Sequence, residues 1–307
     1  MAKVSVIIAV HNGAATIGRA LESVFAQTFT DFEIVVVNDG STDDTAAVLA
    51  GNGDRIHVVS TSNSGPATAR NTGVRESSGE YLAFLDDDDE WMPAKLARCV
   101  EILDQDSACG LVYTDVFKVD LKGRPMPSQE SQTEGVDSPT MEQMLARQWS
   151  VVPSQLVVRR SVFERSGRFD ERFKGAAVED LFFLLRAREF GHFRRVPEAL
   201  LRKTTRPLYP KALNREPQCE LFVRLVRERY GASATGLVRE FRLKRIKVMQ
   251  HMARVLMEEG RRRDARRCLA RVIYYQPASP KAYRRYLKTF LPARLPRATS
   301  HMGDGKA

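Results

Sequence analysis

The chain has 307 residues, enough for one large domain or two modest ones with ample core. At 43% hydrophobic and 28% charged it reads as globular, and no run approaches the roughly 18 apolar residues that a membrane-spanning helix needs. The formal charge of +10 is uneven, because residues 1–110 hold 7 Lys/Arg against 17 Asp/Glu while residues 111–307 hold 41 against 21. The acidic part predicts a cation-dependent site or a solvated acidic surface, and the basic part predicts an anionic partner.

Val4–Val10 follows Met1-Ala2-Lys3 directly and is too short for the apolar region of a signal peptide, so a cytoplasmic location is expected. Cys99, Cys109, Cys219 and Cys268 are scattered, show no metal-ligand spacing, and read as reduced thiols.

In chain order, apolar runs at Val4–Val10, Glu33–Asn38, Ile56–Ser60, Tyr81–Leu85 and Gly110–Thr114 read as doubly buried strands, since they do not alternate with polar residues. Helical segments fall between them at Thr16–Ala26, Asp43–Ala50, Pro66–Ser77 and Pro93–Gln105. Ser41-Thr42-Asp43-Asp44 offers N-caps, and Pro66 and Pro93 suit a first helical turn. Strict alternation of strand and helix predicts an α/β sheet with right-handed crossovers, which binds ligands beyond the carboxyl ends of its strands. His11-Asn12-Gly13, Asn38-Asp39-Gly40 and Asp86–Asp89 all follow strand ends and should gather on one edge.

Residues 118–140 are polar and rich in Pro and Gly, which predicts a mobile loop able to cover the site. Ser154–Arg159 reads as a further strand and Glu179–Glu189 as a helix. Only helical patterns follow, at Glu216–Tyr230, Leu237–Glu259, Arg261–Tyr275 and Lys281–Phe290. The expected organisation is an α/β domain at 1–212, in two parts at 1–115 and 116–212. A basic helical region would occupy 213–307, with about the last 10 residues disordered.

YLAFLDDDDEWMP sends an apolar run into four aspartates and a glutamate. Carboxylates crowded at a strand end repel unless a cation answers them. Alternating strand side chains would let Asp86 and Asp88 point the same way, and paired hard oxygens suit Mg2+ or Mn2+ completed by phosphate oxygens. The alternative is a solvated acidic turn favoured by the dipole of the next helix. In EIVVVNDGSTDD, the Asp39 carboxylate can accept from a base or ribose, and Gly40 permits a tight turn; an N-cap cluster is the alternative. In NSGPATARN, Arg70 offers planar donors for a phosphate or a uracil carbonyl, or is a surface arginine. In Val178-Glu179-Asp180, two acids open a helix and complement its dipole, or supply a general base.

The order VSVIIAVHNG, EIVVVNDGSTD, NSGPATARNTGV, GEYLAFLDDDDEWMP, VED, over about residues 3–205, resembles the family-2 inverting glycosyltransferases of the GT-A fold. The resemblance implies a catalytic domain at 1–212 built on a Rossmann-type, mostly parallel sheet with flanking helices, its nucleotide-binding half at 1–115 and acceptor-side half at 116–212, and a nucleotide-diphospho-sugar donor, most often UDP- or dTDP-linked. It puts the nucleotide on Ala9, His11, Asn12 and Asp39 beside Gly40, with Arg70 as helper. It puts Asp88 on the metal, Asp86 or its neighbour Asp87 on ribose or metal, and the base on Asp180 with Glu179 beside it. The chain departs from the family in Ala9 for the usual Pro, His11 for Tyr, and Leu201-Arg202-Lys203-Thr204 where many members carry Tyr-Arg-x-His. It also lacks the Gln-x-x-Arg-Trp of processive synthases, which favours transfer of a single sugar to a glycan or lipid-linked acceptor in cell-surface polysaccharide synthesis. Two alternatives stay open. A sugar-phosphate nucleotidyltransferase would carry a basic Gly-rich loop where VIIAVHNGAAT stands, and a non-catalytic nucleotide-sugar or membrane-binding module would lack turnover.

Residues 234–307 hold 19 Lys/Arg against 5 Asp/Glu, beside Leu269, Val272, Ile273, Tyr274 and Tyr275. This pattern suits peripheral attachment to an anionic membrane, or a helical cap with a solvated basic face. No nucleic-acid recognition motif is present, so nucleic acid is not expected.

Overall fold

A computed structural model describes residues 2–120, 122–126, 136–145, 151–174, 178–205 and 216–290. Its centre is an eight-stranded sheet in the order β3-β2-β1-β4-β7-β6-β8-β5. The strands are β1 Val4–Val10, β2 Phe32–Asp39, β3 His57–Thr61, β4 Tyr81–Asp86, β5 Glu90–Trp91, β6 Cys109–Val119, β7 Leu156–Arg159 and β8 His192–Thr204. β1 pairs in parallel with β2 and β4, β2 with β3, and β6 with β8. β7 runs antiparallel to β4 and β6, and β5 runs antiparallel to β8. The sheet is therefore mostly parallel, as the alternation of strands and helices predicts.

β1 explains the layering. Val4, Val6, Ile8 and Val10 enter one core and Ile7 enters the other. An apolar strand with no polar alternation buries both faces, so helices must cover both. Helices α1 Ile17–Phe25, α2 Thr45–Ala50 and α4 Lys95–Gln105 lie on the Val6 face, and α3 Pro66–Arg75 lies on the Ile7 face. The Ile7 face also takes α5 Met141–Leu145, α6 Arg160–Arg165 and α7 Glu179–Ala187. An aromatic cluster fixes α7: the Phe183 ring lies 5.2 Å from Phe163 and 4.8 Å from Phe169, and Phe84 of β4 lies 5.2 Å from Phe169. Buried rings of this size contribute roughly 1.5–3 kcal/mol each, which holds the N-terminus of α7 in place.

Several expectations are corrected. β3 is not doubly buried: it is the sheet's outer strand, and Val58 is 40% exposed. Pro93 lies ahead of α4, which starts at Lys95, so it does not form the first turn. Lys118 and Val119 close β6 instead of opening a loop, and residues 127–135 of the expected mobile segment lie outside the described residues. The terminal residues expected to be disordered also lie outside them. β8 was not expected at all, because its arginines and Pro197 hide the apolar signal. The four cysteines are buried and unbridged.

The chain divides into a unit at Met1–Lys244 and a second at Arg245–Ala307. Helix α8, Glu216–Tyr230, joins the core of the first unit, with the Phe222 ring edge-on to Phe182 at 6.1 Å and tilted against Phe241 at 4.3 Å. Helix α9, Ala234–Glu258, carries Phe241. In the second unit, α10 Arg262–Tyr275 buries Ala265, Cys268, Leu269 and Val272, at the 3–4 residue spacing of one helix face. Helix α11, Pro280–Lys288, follows an N-cap at Ser279. No described helix is long and apolar enough to cross a membrane.

Candidate active site

Register brings the predicted residues to one edge of the sheet. Ala9 pairs with Asp86 on one side and with Val37 on the other, so the β1–α1, β2–α2 and post-β4 loops leave the sheet together. The first two loops are tied. Asn12, in a left-handed conformation at φ 54°, accepts at Oδ1 from Thr42 N at 2.7 Å, and its own N donates to Ser41 Oγ at 3.0 Å. His11 Nδ1 lies 2.8 Å from the Asp39 carbonyl, which can only accept, so that nitrogen carries the proton. Gly40 has φ +70°, and a Cβ there would meet Asn63 N at 2.6 Å, so both conformation and space call for glycine.

The Asp39 carboxylate is buried and heavily used. Oδ1 accepts from Thr61 Oγ1 at 2.8 Å, Ser64 N at 2.7 Å and Ser64 Oγ at 2.9 Å, and Oδ2 accepts from Gly65 N at 2.8 Å. Burial opposes ionisation, but these donors outweigh it and hold the group below the usual carboxylate range. Asp39 therefore locks the turn from β3 into α3, and Oδ2 retains capacity for one further donor.

The acidic run has a different geometry from strand alternation. β4 ends at Asp86, and a tight turn closed by Asp89 N on the Asp86 carbonyl at 3.1 Å carries Asp87 and Asp88. The relation between Asp86 and Asp88 is thus set by the turn. Asp87 accepts from Thr16 Oγ1 at 2.9 Å, next to Gly13, where a Cβ would stand 2.5 Å from Asp87 Oδ2. Asp88 is half-buried in the same turn. Asp89 is fully buried and structural: Oδ2 accepts from Ser154 Oγ at 2.6 Å and Lys203 Nζ at 2.9 Å, and Oδ1 from Thr204 N at 3.1 Å. Burial pushes its carboxyl up despite Lys203. Ser154 Oγ also accepts from Asp86 N at 3.1 Å, so one hydroxyl fastens both ends of the turn.

Arg70, buried in α3, joins this turn to α7. Nη2 donates to Asp86 Oδ1 at 2.8 Å, and Nη1 donates to Asp180 Oδ1 at 3.3 Å and lies 3.7 Å from Glu179 Oε1. Burial works against its charge, but Asp86, Asp180 and Glu179 together raise its pKa above the ordinary value. Asp86 is held low, because Arg70 and Lys203, at 3.9 Å, overcome its burial. Burial and then the Asp180 charge push Glu179 up, and its Oε2 has no hydrogen-bond partner among the described residues.

Sequence reasoning missed Lys203 and Ser154 as parts of this site. It also missed Lys118, which pairs with Lys203 in the β6–β8 register and is half-buried, its pKa lowered by burial and by Lys203. The signal for Lys203 was its place in the segment that departs from Tyr-Arg-x-His.

No group of three or more His, Cys, Asp or Glu side chains among the described residues is arranged to hold a metal ion. Asp87 and Asp89 are engaged by Thr16 and by Ser154 and Lys203. Asp86, whose Oδ1 already accepts from Arg70, and Asp88 are hard oxygen donors at this turn, and they would suit Mg2+ or Mn2+ only with substrate oxygens completing the shell, the usual arrangement for these ions.

A mostly parallel sheet with acids, an arginine and a helix-borne carboxylate pair gathered at its carboxyl edge is the architecture of a GT-A glycosyltransferase. The family model described as Glycosyl transferase family 2 matches residues 5–167, and the chain belongs to that family. An uncharacterized glycosyltransferase of Rickettsia prowazekii is 33% identical over 188 residues, covering 59% of this chain and 57% of that protein. The succinoglycan biosynthesis protein ExoW of Rhizobium meliloti is 33% identical over 201 residues, covering 60% of this chain and 63% of ExoW. The chain thus spans less than two thirds of the length of these curated relatives. The crystal structure of S. aureus TarS 1-349 in complex with UDP-GlcNAc is similar in fold, with a TM-score of 0.67 at 19% identity, over 94% of this chain and 89% of that one.

Proposed function

We propose that the protein is an inverting glycosyltransferase that moves one sugar from a UDP- or dTDP-linked donor to a hydroxyl of a glycan or lipid-linked acceptor in cell-surface polysaccharide synthesis. One observation carries the reading: a single guanidinium, Arg70, touches both Asp86 at the acidic turn and Asp180 at the start of α7. The group suited to meet the donor and the group suited to serve as base therefore lie on either side of one guanidinium.

The tied loops at Ala9, His11, Asn12, Asp39 and Gly40 take the nucleotide. Asp180 accepts the proton of the acceptor hydroxyl as its oxygen attacks the anomeric carbon from the face opposite the diphosphate. The bond from that carbon to the diphosphate oxygen breaks, the nucleoside diphosphate leaves, and the configuration inverts. Burial and then the Asp180 charge push the Glu179 carboxyl up, which limits the negative charge beside the base. Asp88 with Asp86 would hold a Mg2+ or Mn2+ ion, which would supply positive charge for the departing diphosphate. A lipid-linked acceptor would be met at a membrane surface.

The similarity to ExoW supports a role in polysaccharide synthesis, and the likeness in fold to a protein crystallised with UDP-GlcNAc supports a nucleotide-sugar donor. The test is donor turnover across a panel of nucleotide sugars, with Mn2+ and with chelator. Release of UDP or dTDP from one donor, reduced on chelation, supports the reading. Formation of a nucleotide sugar from a sugar phosphate, or binding with no turnover of any donor in the presence of acceptor extracts, overturns it.

A further inference from the structure

The described part of the second unit ends in an exposed apolar stripe. Tyr283, Leu287 and Phe290 are 43%, 63% and 55% exposed. Their spacing of four and three places them on one side of α11, continued past its end by Phe290 N donating to the Leu287 carbonyl at 3.1 Å. Ala282 and Thr289 face the protein instead. Arg284 and Lys288 occupy the next side of the same helix, and Lys281 and Arg285 lie nearly opposite the stripe. Tyr274 on α10 adds a further exposed ring, at 59%. Arg266 and Arg271 lay their guanidinium groups 4.5 Å from the Phe290 ring and 5.5 Å from the Tyr274 ring.

The charge around the stripe has one sign. Residues 265–290 hold seven Lys/Arg and no Asp/Glu. A short helix with Phe, Leu and Tyr on one side and Lys/Arg on the next lies in a lipid interface, apolar side chains at the acyl boundary and cations at anionic headgroups. A second copy fits poorly, because an isologous contact would set this cationic face against itself. Nucleic acid answers the charge and can stack on rings, but leaves the exposed Leu287 side chain without apolar cover.

We infer that the stripe Tyr283–Leu287–Phe290 with its basic flank is a docking surface for an anionic lipid bilayer. It stands independently of the transferase reading.

The experiment is co-sedimentation of the full chain with phosphatidylcholine vesicles, with and without phosphatidylglycerol, for the wild type, Leu287→Ser/Phe290→Ser and Arg284→Glu/Lys288→Glu. Far-UV circular dichroism checks that each retains its helices. The wild type should partition onto anionic vesicles about tenfold or more above neutral ones, and each double variant should lose about tenfold. Because α11 is short, single variants Leu287→Ser and Phe290→Ser stand in for any double variant that unfolds, with smaller losses in the same direction. Equal binding of wild type and variants overturns the inference. So does wild-type binding to a short RNA but not to vesicles, or a wild-type dimer in sedimentation velocity that Leu287→Ser dissociates while vesicles are ignored.

Discussion

Arg70 Nη2 donates to Asp86 Oδ1 at 2.8 Å, and this pair connects α3 to the end of β4 at the centre of the candidate site. Both side chains are largely shielded from water, so neither charge is stable without the other. Arg70→Met should leave Asp86, Glu179 and Asp180 without their shared cation and cost about 3–5 kcal/mol by urea denaturation. Arg70→Lys should recover part of the stability, since an ammonium cannot reach two carboxylates with a planar fork. Equal stability of the wild type and Arg70→Met would show that the pair does not organise the site.

Lys203 and Asp89 form the second internal pair, at 2.9 Å with Asp89 fully buried. Lys203→Met and Asp89→Asn should each destabilise by about 3–5 kcal/mol, because each breaks a buried ion pair and leaves Lys203 with only Asp86 at 3.9 Å or Asp89 with only neutral donors. The double variant should be more stable than the sum of the two losses predicts, by about 1–3 kcal/mol in a double-mutant cycle. Strict additivity would mean that the two groups do not act as a pair.

Gly40→Ala places a methyl group 2.6 Å from Asn63 N on a backbone at φ +70°. Strain of about 1–3 kcal/mol is expected. Thermal unfolding should report it, and nucleotide affinity should fall with it, because the turn adjoins Asp39.

Glu179 makes stability depend on pH in a known direction. An acid held above its ordinary pKa keeps its proton in the folded chain and loses it in the unfolded chain. Stability is then fullest below the ordinary carboxylate range and falls as pH rises through and above it, until the folded group ionises. Glu179→Gln removes this loss. Its stability relative to the wild type should grow with pH by about 1.4 kcal/mol for each pH unit traversed in that window. Urea curves between pH 5 and pH 8 measure it; a constant difference would mean that Glu179 titrates normally.

β1, β2 and β4 were legible because buried apolar runs alternate with helical segments, one of them opened by Pro66; β3 was legible as a strand, but its exposed edge position was not. β8 was illegible because its charges are answered from other strands. Arg195 meets Asp115 at 2.6 Å, Arg202 meets Glu90 at 2.7 Å, and Lys203 meets Asp89. Only the folded sheet supplies those partners. The same limit applied to the acidic run. Sequence marked Asp86–Asp89 as one cluster, but could not say that Asp89 is sealed inside by Ser154 and Lys203 while Asp88 stays half-buried. The convergence of Arg70 on Asp86 and Asp180 spans 16 and 110 residues of sequence separation, so no local pattern reveals it.

The most direct measurement of the central claim is Asp180→Asn assayed for both sugar transfer and UDP affinity. Transfer should fall by about 10²–10⁴-fold, the usual contribution of a general base, while the UDP dissociation constant stays within about threefold of wild type. Undiminished transfer, or transfer and affinity lost together, would contradict the assignment of Asp180 as the base.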